Sequence, residues 1–116
     1  MNEKDRYHFN ILKNIALGDN DAFSKIALTF DFDEHQIDTL CDVFEEFEQR
    51  DFSYGELEKR LHETLRLNYQ NLKTIILYLY KDNRYTDVIG TYLRSNKKSM
   101  GSLSLEYNSI AEELGI

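Results

Sequence analysis

Apolar residues recur along this chain at the three- and four-residue spacing of a helix, and nowhere do they alternate with period two for long enough to make a sheet. Over residues 5–17, Tyr7, Ile11, Leu12 and Ile15 fall at i, i+4, i+5 and i+8, and Gly18 suits the left-handed position after a helix end. Asp19 or Asn20 is then expected to cap a short helix whose face is Phe23, Ile26, Ala27 and Phe30. Asp33 opens the clearest element. Gln36 stands three residues after it, a capping-box variant in which the Asp33 carboxylate accepts from backbone N–H groups. Ile37, Leu40, Cys41, Phe44 and Phe47 make its inner face, with Asp38, Asp42, Glu45, Glu46 and Glu48 opposite.

Ser53-Tyr54-Gly55-Glu56 is a capping box, and Phe52 with Leu57 has the spacing of a hydrophobic staple. Leu57, Leu61 and Leu65 form that helix's stripe. Asn68 is placed to cap the next, with Leu72, Ile75, Ile76 and Leu79 inside. Lys81-Asp82-Asn83-Arg84 reads as the turn of a helical hairpin, followed by Tyr85, Val88, Ile89, Tyr92 and Leu93. Ser95 to Ser102 is the most loop-like stretch, and Leu103, Tyr107, Ile110 and Leu114 mark a last amphipathic helix. The fold class predicted is all-α: a compact array of about six short amphipathic helices in antiparallel hairpins, with an added C-terminal helix. Residues 1–98 are expected to form the helical domain. Residues 99–116 are expected to pack on it or on a second protomer.

Composition narrows this modestly. A chain of 116 residues suits one core. Its 21 acids against 14 bases give a formal charge of −7, which opposes general attraction to nucleic acid or to anionic membrane. The charge is uneven: from Asp31 to Glu58 Arg50 is the sole base, whereas Arg84, Arg94, Lys97 and Lys98 crowd the stretch after the hairpin turn. Such polarity permits association through opposite charges, although solvated helix faces explain it as simply. No apolar run is long enough for a membrane span, and the polar start Met1-Asn2-Glu3-Lys4-Asp5 lacks a signal-peptide core. A cytoplasmic location is therefore expected. The lone Cys41, on an apolar face, reads as a small buried residue in a reducing compartment.

The block from Phe23 to Leu93 resembles the YhaI-like family of small helical proteins from Bacillus-type bacteria. The resemblance is carried by Phe23 and its apolar run, by Cys41-Asp42 with the acidic helix Val43 to Glu48, and by Phe52-Ser53-Tyr54-Gly55-Glu56-Leu57. The closing hairpin from Leu72 to Tyr80, with Tyr85 and Asp87-Val88-Ile89, completes it. The chain departs from that pattern at both ends, with a shorter first helix and an added Leu103–Leu114 helix. The resemblance implies a helical fold and carries no activity or site residues.

Catalytic and metal patterns fit poorly. His35 with Asp38 and His62 with Glu58 put two ligands on one helix face, but no second pair supplies four converging groups. The Asp31 loop fails as a calcium site because Gln36 stands where glycine is needed. There is no nucleophile elbow, phosphate loop or dinucleotide fingerprint, so neither catalysis nor a cofactor is expected. Two binding readings remain. The first is a protein-interaction module, homodimeric and with a further protein partner, anchored by Tyr78, Tyr80, Tyr85 and Tyr92 and by the tail stripe Leu103, Tyr107, Ile110 and Leu114. The alternative is a helix-turn-helix-like DNA binder using Arg84, Arg94, Lys97 and Lys98 on phosphate. It would leave Thr86, Asp87, Gly90 and Thr91 to face the bases.

Overall fold

The computed structural model describes all residues, Met1–Ile116, and every regular element in it is helical. In chain order these are α1 (Glu3–Ala16), α2 (Ala22–Phe30), α3 (Glu34–Glu46), α4 (Tyr54–Leu65), α5 (Tyr69–Lys81), α6 (Thr86–Met100), a 3₁₀ turn (Leu105–Tyr107) and α7 (Asn108–Leu114). No helix is long and apolar enough to cross a membrane.

Short side chains start the helices where the pattern places them. Asp33 accepts from the Gln36 N–H at 2.8 Å while the Gln36 side chain accepts from the Asp33 N–H at 2.9 Å, a complete capping box. Asn68 and Asn71 make the same reciprocal pair at the head of α5. At α4 the box is half made. Glu56 accepts from the Ser53 N–H at 3.2 Å, but the Glu56 N–H goes to the Ser53 carbonyl. The α2 cap is Asp21 and not the expected Asp19 or Asn20, accepting from the Ser24 N–H at 2.9 Å.

The core is one cluster. Leu72, Ile75, Ile76 and Leu79 of α5 and Val88, Ile89, Tyr92 and Leu93 of α6 form its centre, each at most 1% exposed. Burying each such aliphatic residue stabilises the fold by roughly 1.5–3 kcal/mol. α2 packs across α5, and α4 lies on α6 and carries α3 on its other side. The 3₁₀ turn and α7 close over α5 and α6, while α1 rests mainly on α2. The molecule measures 47 × 29 × 24 Å.

Several expectations need correction. Residues 95–100 are the last turns of α6, not a loop. Leu93 and Asn96 are buried there, Lys97 and Lys98 oppose the negative helix end, and Gly101 at φ 80 stops the helix with its N–H on the Lys97 carbonyl. The expected boundary after residue 98 thus falls inside a helix. Ser95 instead helps to start another helix, its hydroxyl accepting the Tyr54 N–H of α4 at 2.8 Å. The tail is a 3₁₀ turn with a two-turn helix rather than one helix from Leu103, and Tyr107 and Ile110 join the core of their own chain. Leu12, placed on the inner face by its spacing, is 55% exposed.

Asp33→Ala removes an acceptor from the start of α3 without touching the core, and is expected to cost about 1 kcal/mol. A lowered urea midpoint at unchanged slope is the readout.

Candidate functional site

The tyrosines singled out as partner anchors are brought together, but by contacts within the chain. Tyr92 is fully buried and donates to Glu58 at 2.6 Å. Asn96 donates in turn to the Tyr92 oxygen at 3.4 Å, and the Tyr107 ring meets the Tyr92 ring edge-on at 6.1 Å. The Tyr107 hydroxyl, also buried, has no hydrogen-bond partner. Tyr80 donates to Glu113 at 2.5 Å and Tyr69 bonds Ser104, so both hold the tail down. Lys73, buried among the core residues, reaches Glu106 at 3.5 Å with the Tyr69 ring beneath it. Tyr78 meets Thr29 across the α2–α5 contact at 3.4 Å. Tyr85 is half-buried between Phe23 and Phe44, donating to Glu45 at 3.3 Å. Leu103 and Leu114 are partly buried against the same core. Tyr92, Tyr107 and Ile110 therefore have no surface left for a partner, because the core took their apolar area.

Burial pushes the phenols of Tyr85, Tyr92 and Tyr107 well above their ordinary value, and it raises the Cys41 thiol as well. Cys41 is half-buried beside Tyr85 rather than enclosed. The metal-spaced pairs gain no third ligand, since no three His, Cys, Asp or Glu side chains converge anywhere. Glu58 and His62 line a cleft of about 330 Å³ with Lys59, Tyr69 and Leu72. Glu58 is occupied there by Tyr92, and His62 Nδ1 sits 3.3 Å from the Leu67 carbonyl. Of the basic set, Arg84 pairs with Asp82 at 3.5 Å and lies over the Phe23 ring, and Arg94 folds over buried Gly90. Lys97 and Lys98 are exposed at the end of α6.

Besides Tyr69, Met100 and Leu105, the exposed large apolar side chains belong to α1 and its two ends. Ile11 is its single buried residue, with Tyr7 and Ile15 partly buried beside it. A hydrogen bond from Lys4 to Asp31 at 2.8 Å, and His8 Nε2 against the Phe32 carbonyl at 2.7 Å, tie the helix to the α2–α3 corner. The Lys4 contact holds Asp31 below the usual carboxylate range. On the outer side Phe9 and Leu12 are 56% and 55% exposed, Ala16 is exposed beside them, and Leu17 at the helix end is 78% exposed. Phe9, Leu12 and Ala16 stand at i, i+3 and i+7, a second apolar stripe on the same helix. That spacing is visible in the sequence, but the stronger Tyr7–Ile11–Ile15 stripe conceals it. Arg6 and Lys13 flank Phe9 at i−3 and i+4, and neither has an ion-pair partner.

No family model matches this chain, and neither a curated protein nor a solved structure matches it.

The tyrosine pair yields two expectations. Tyr92→Phe leaves Glu58 and Asn96 without their partner and costs about 1–3 kcal/mol, whereas Tyr107→Phe removes an unpartnered hydroxyl and is neutral or stabilising. Tyr107→Ala, in contrast, costs about 3–5 kcal/mol by emptying the space under the tail. Denaturant melts of the three variants give the comparison. The raised phenols also fix a pH dependence. Each stays neutral in the fold while the unfolded chain ionises near the ordinary value of 10.0. Their stabilising contribution is complete below pH 10 and falls as pH rises beyond it, so denaturant midpoints decline on the alkaline side and less steeply in Tyr107→Phe.

Proposed function

We propose that this chain is a protein-interaction module that works by binding rather than by catalysis, with the outer face of α1 as its contact surface. The observation that supports the reading is the pair Phe9 and Leu12, each more than half exposed in a chain whose other large apolar side chains mostly lie in or against one core. A contiguous exposed apolar stripe on a helix is the feature that helix-in-groove and helix-on-helix recognition uses. The aromatic hairpin offers less, because its tyrosines are occupied within the chain. The DNA-binding alternative keeps exposed Lys97 and Lys98, but Gly90 is buried and Arg94 folds back along the helix, which leaves α6 less face for bases.

If the stripe serves a partner and not the fold, Phe9→Gln with Leu12→Gln changes stability by no more than about 0.5 kcal/mol. Ile11→Ala, one position away on the buried side, costs about 2 kcal/mol or more. Thermal and urea melts of the two variants decide it. A double variant as unstable as Ile11→Ala makes the stripe part of the fold and removes the basis for the reading.

A further inference from the structure

The character of the partner can be drawn from what surrounds the stripe. The chain carries −7 overall, yet the side chains on the open flank of Phe9 are Arg6 and Lys13, both exposed and free of ion pairs. Local cations beside an apolar ridge on an acidic protein favour an acidic counterpart, since complementary potentials steer encounter and fix register. A second copy of α1 fits badly. An antiparallel pair that seats Phe9 against Leu12 of the second copy sets Arg6 near that copy's Lys13. A parallel pair brings the ridge carboxylate Asp5 against its own copy. Like charges meet in both symmetric arrangements. An anionic membrane fits badly too. Helices that lie on such membranes carry Lys and Arg all along the polar face, whereas Arg6 and Lys13 are the cations beside this ridge. Resting on the interaction reading above, we infer that the α1 ridge docks an amphipathic helix of another protein whose apolar stripe is flanked by carboxylates.

A 14-residue helix is about 21 Å long and offers about four turns, which suits one partner helix lying along it and a transient rather than a permanent complex. Phe9 and Leu12 would supply the buried anchors, with Arg6 and Lys13 pairing at the rim.

The test uses the full chain and two synthetic amphipathic helices with the same leucine stripe, one flanked by glutamates and one by lysines. Titration calorimetry is expected to show micromolar binding of the glutamate peptide, weakened by salt, and binding of the lysine peptide about tenfold weaker or less. Arg6→Glu with Lys13→Glu should invert that preference, and Phe9→Gln with Leu12→Gln should abolish binding of both peptides. Equal binding of the two peptides, no binding of the glutamate peptide, or binding that survives the Phe9/Leu12 change would overturn the inference. So would a dimer by light scattering, or co-sedimentation with phosphatidylserine vesicles, that disappears in the Phe9/Leu12 variant. In each case a stable Phe9/Leu12 variant leaves the ridge free of a role in the fold, so the partner assignment fails alone. An unstable one takes the interaction reading with it.

Discussion

The packing of α5 against α6 is the constraint from which the other positions follow. Their facing side chains, Leu72, Ile75, Ile76 and Leu79 against Val88, Ile89, Tyr92 and Leu93, exclude water almost completely. The turn between them spans four residues and needs Asn83 and Tyr85 in the left-handed region, at φ 56 and 54. Tyr85 tolerates a conformation that β-carbon sterics disfavour because its ring is held between Phe23 and Phe44. The hairpin therefore sets where α2 and α3 lie, through the same ring that its own turn strains.

Side chains of that hairpin also begin other helices. Asp82, at the end of α5, accepts the Ala22 N–H at the head of α2 at 3.2 Å, and Ser95 of α6 accepts the Tyr54 N–H at the head of α4. Free N–H groups at a helix start are costly when they are kept from water. Two helices far away in sequence thus have their starting points fixed by hydrogen bonds from α5 and α6. Folding of the hairpin and docking of α2 and α4 are coupled through polar contacts as well as apolar area. The tail is held by the same logic, with Lys73, Tyr80 and Tyr69 each reaching a residue beyond Gly101.

Local rules made most of the helices legible. Asp33-Gln36 and Asn68 capped as the spacing requires, and apart from half-buried Cys41 and Tyr85 the inner stripes of α3 to α6 are residues that the structure buries. What sequence could not supply was tertiary. The segment 95–100 looks like a loop because Ser95, Asn96 and Ser99 are poor helix formers, but Asn96 has a buried partner in Tyr92 and Ser95 has one in Tyr54. Likewise a stripe with Tyr107 and Ile110 announces that it will be buried without saying against what. The surface that the chain leaves uncovered was the hardest to see. α1 carries two apolar stripes, and periodicity alone does not rank them.

That last point bears on where function resides in so small a domain. Aromatic abundance suggested a tyrosine-rich contact surface, yet the fold draws nearly every ring inward, since a domain of this size needs its large side chains for its own core. Residues available for a partner are then those on the element that the core holds least. α1 meets this description: one buried side chain with Tyr7 and Ile15 half-buried beside it, a carboxylate–lysine contact and a histidine at a carbonyl attach it, and its far side keeps Phe9 and Leu12 in water. An exposed apolar ridge carries a risk of aggregation, and unpaired Arg6 and Lys13 beside it lower that risk; on the reading proposed above, the same two cations favour an acidic helix.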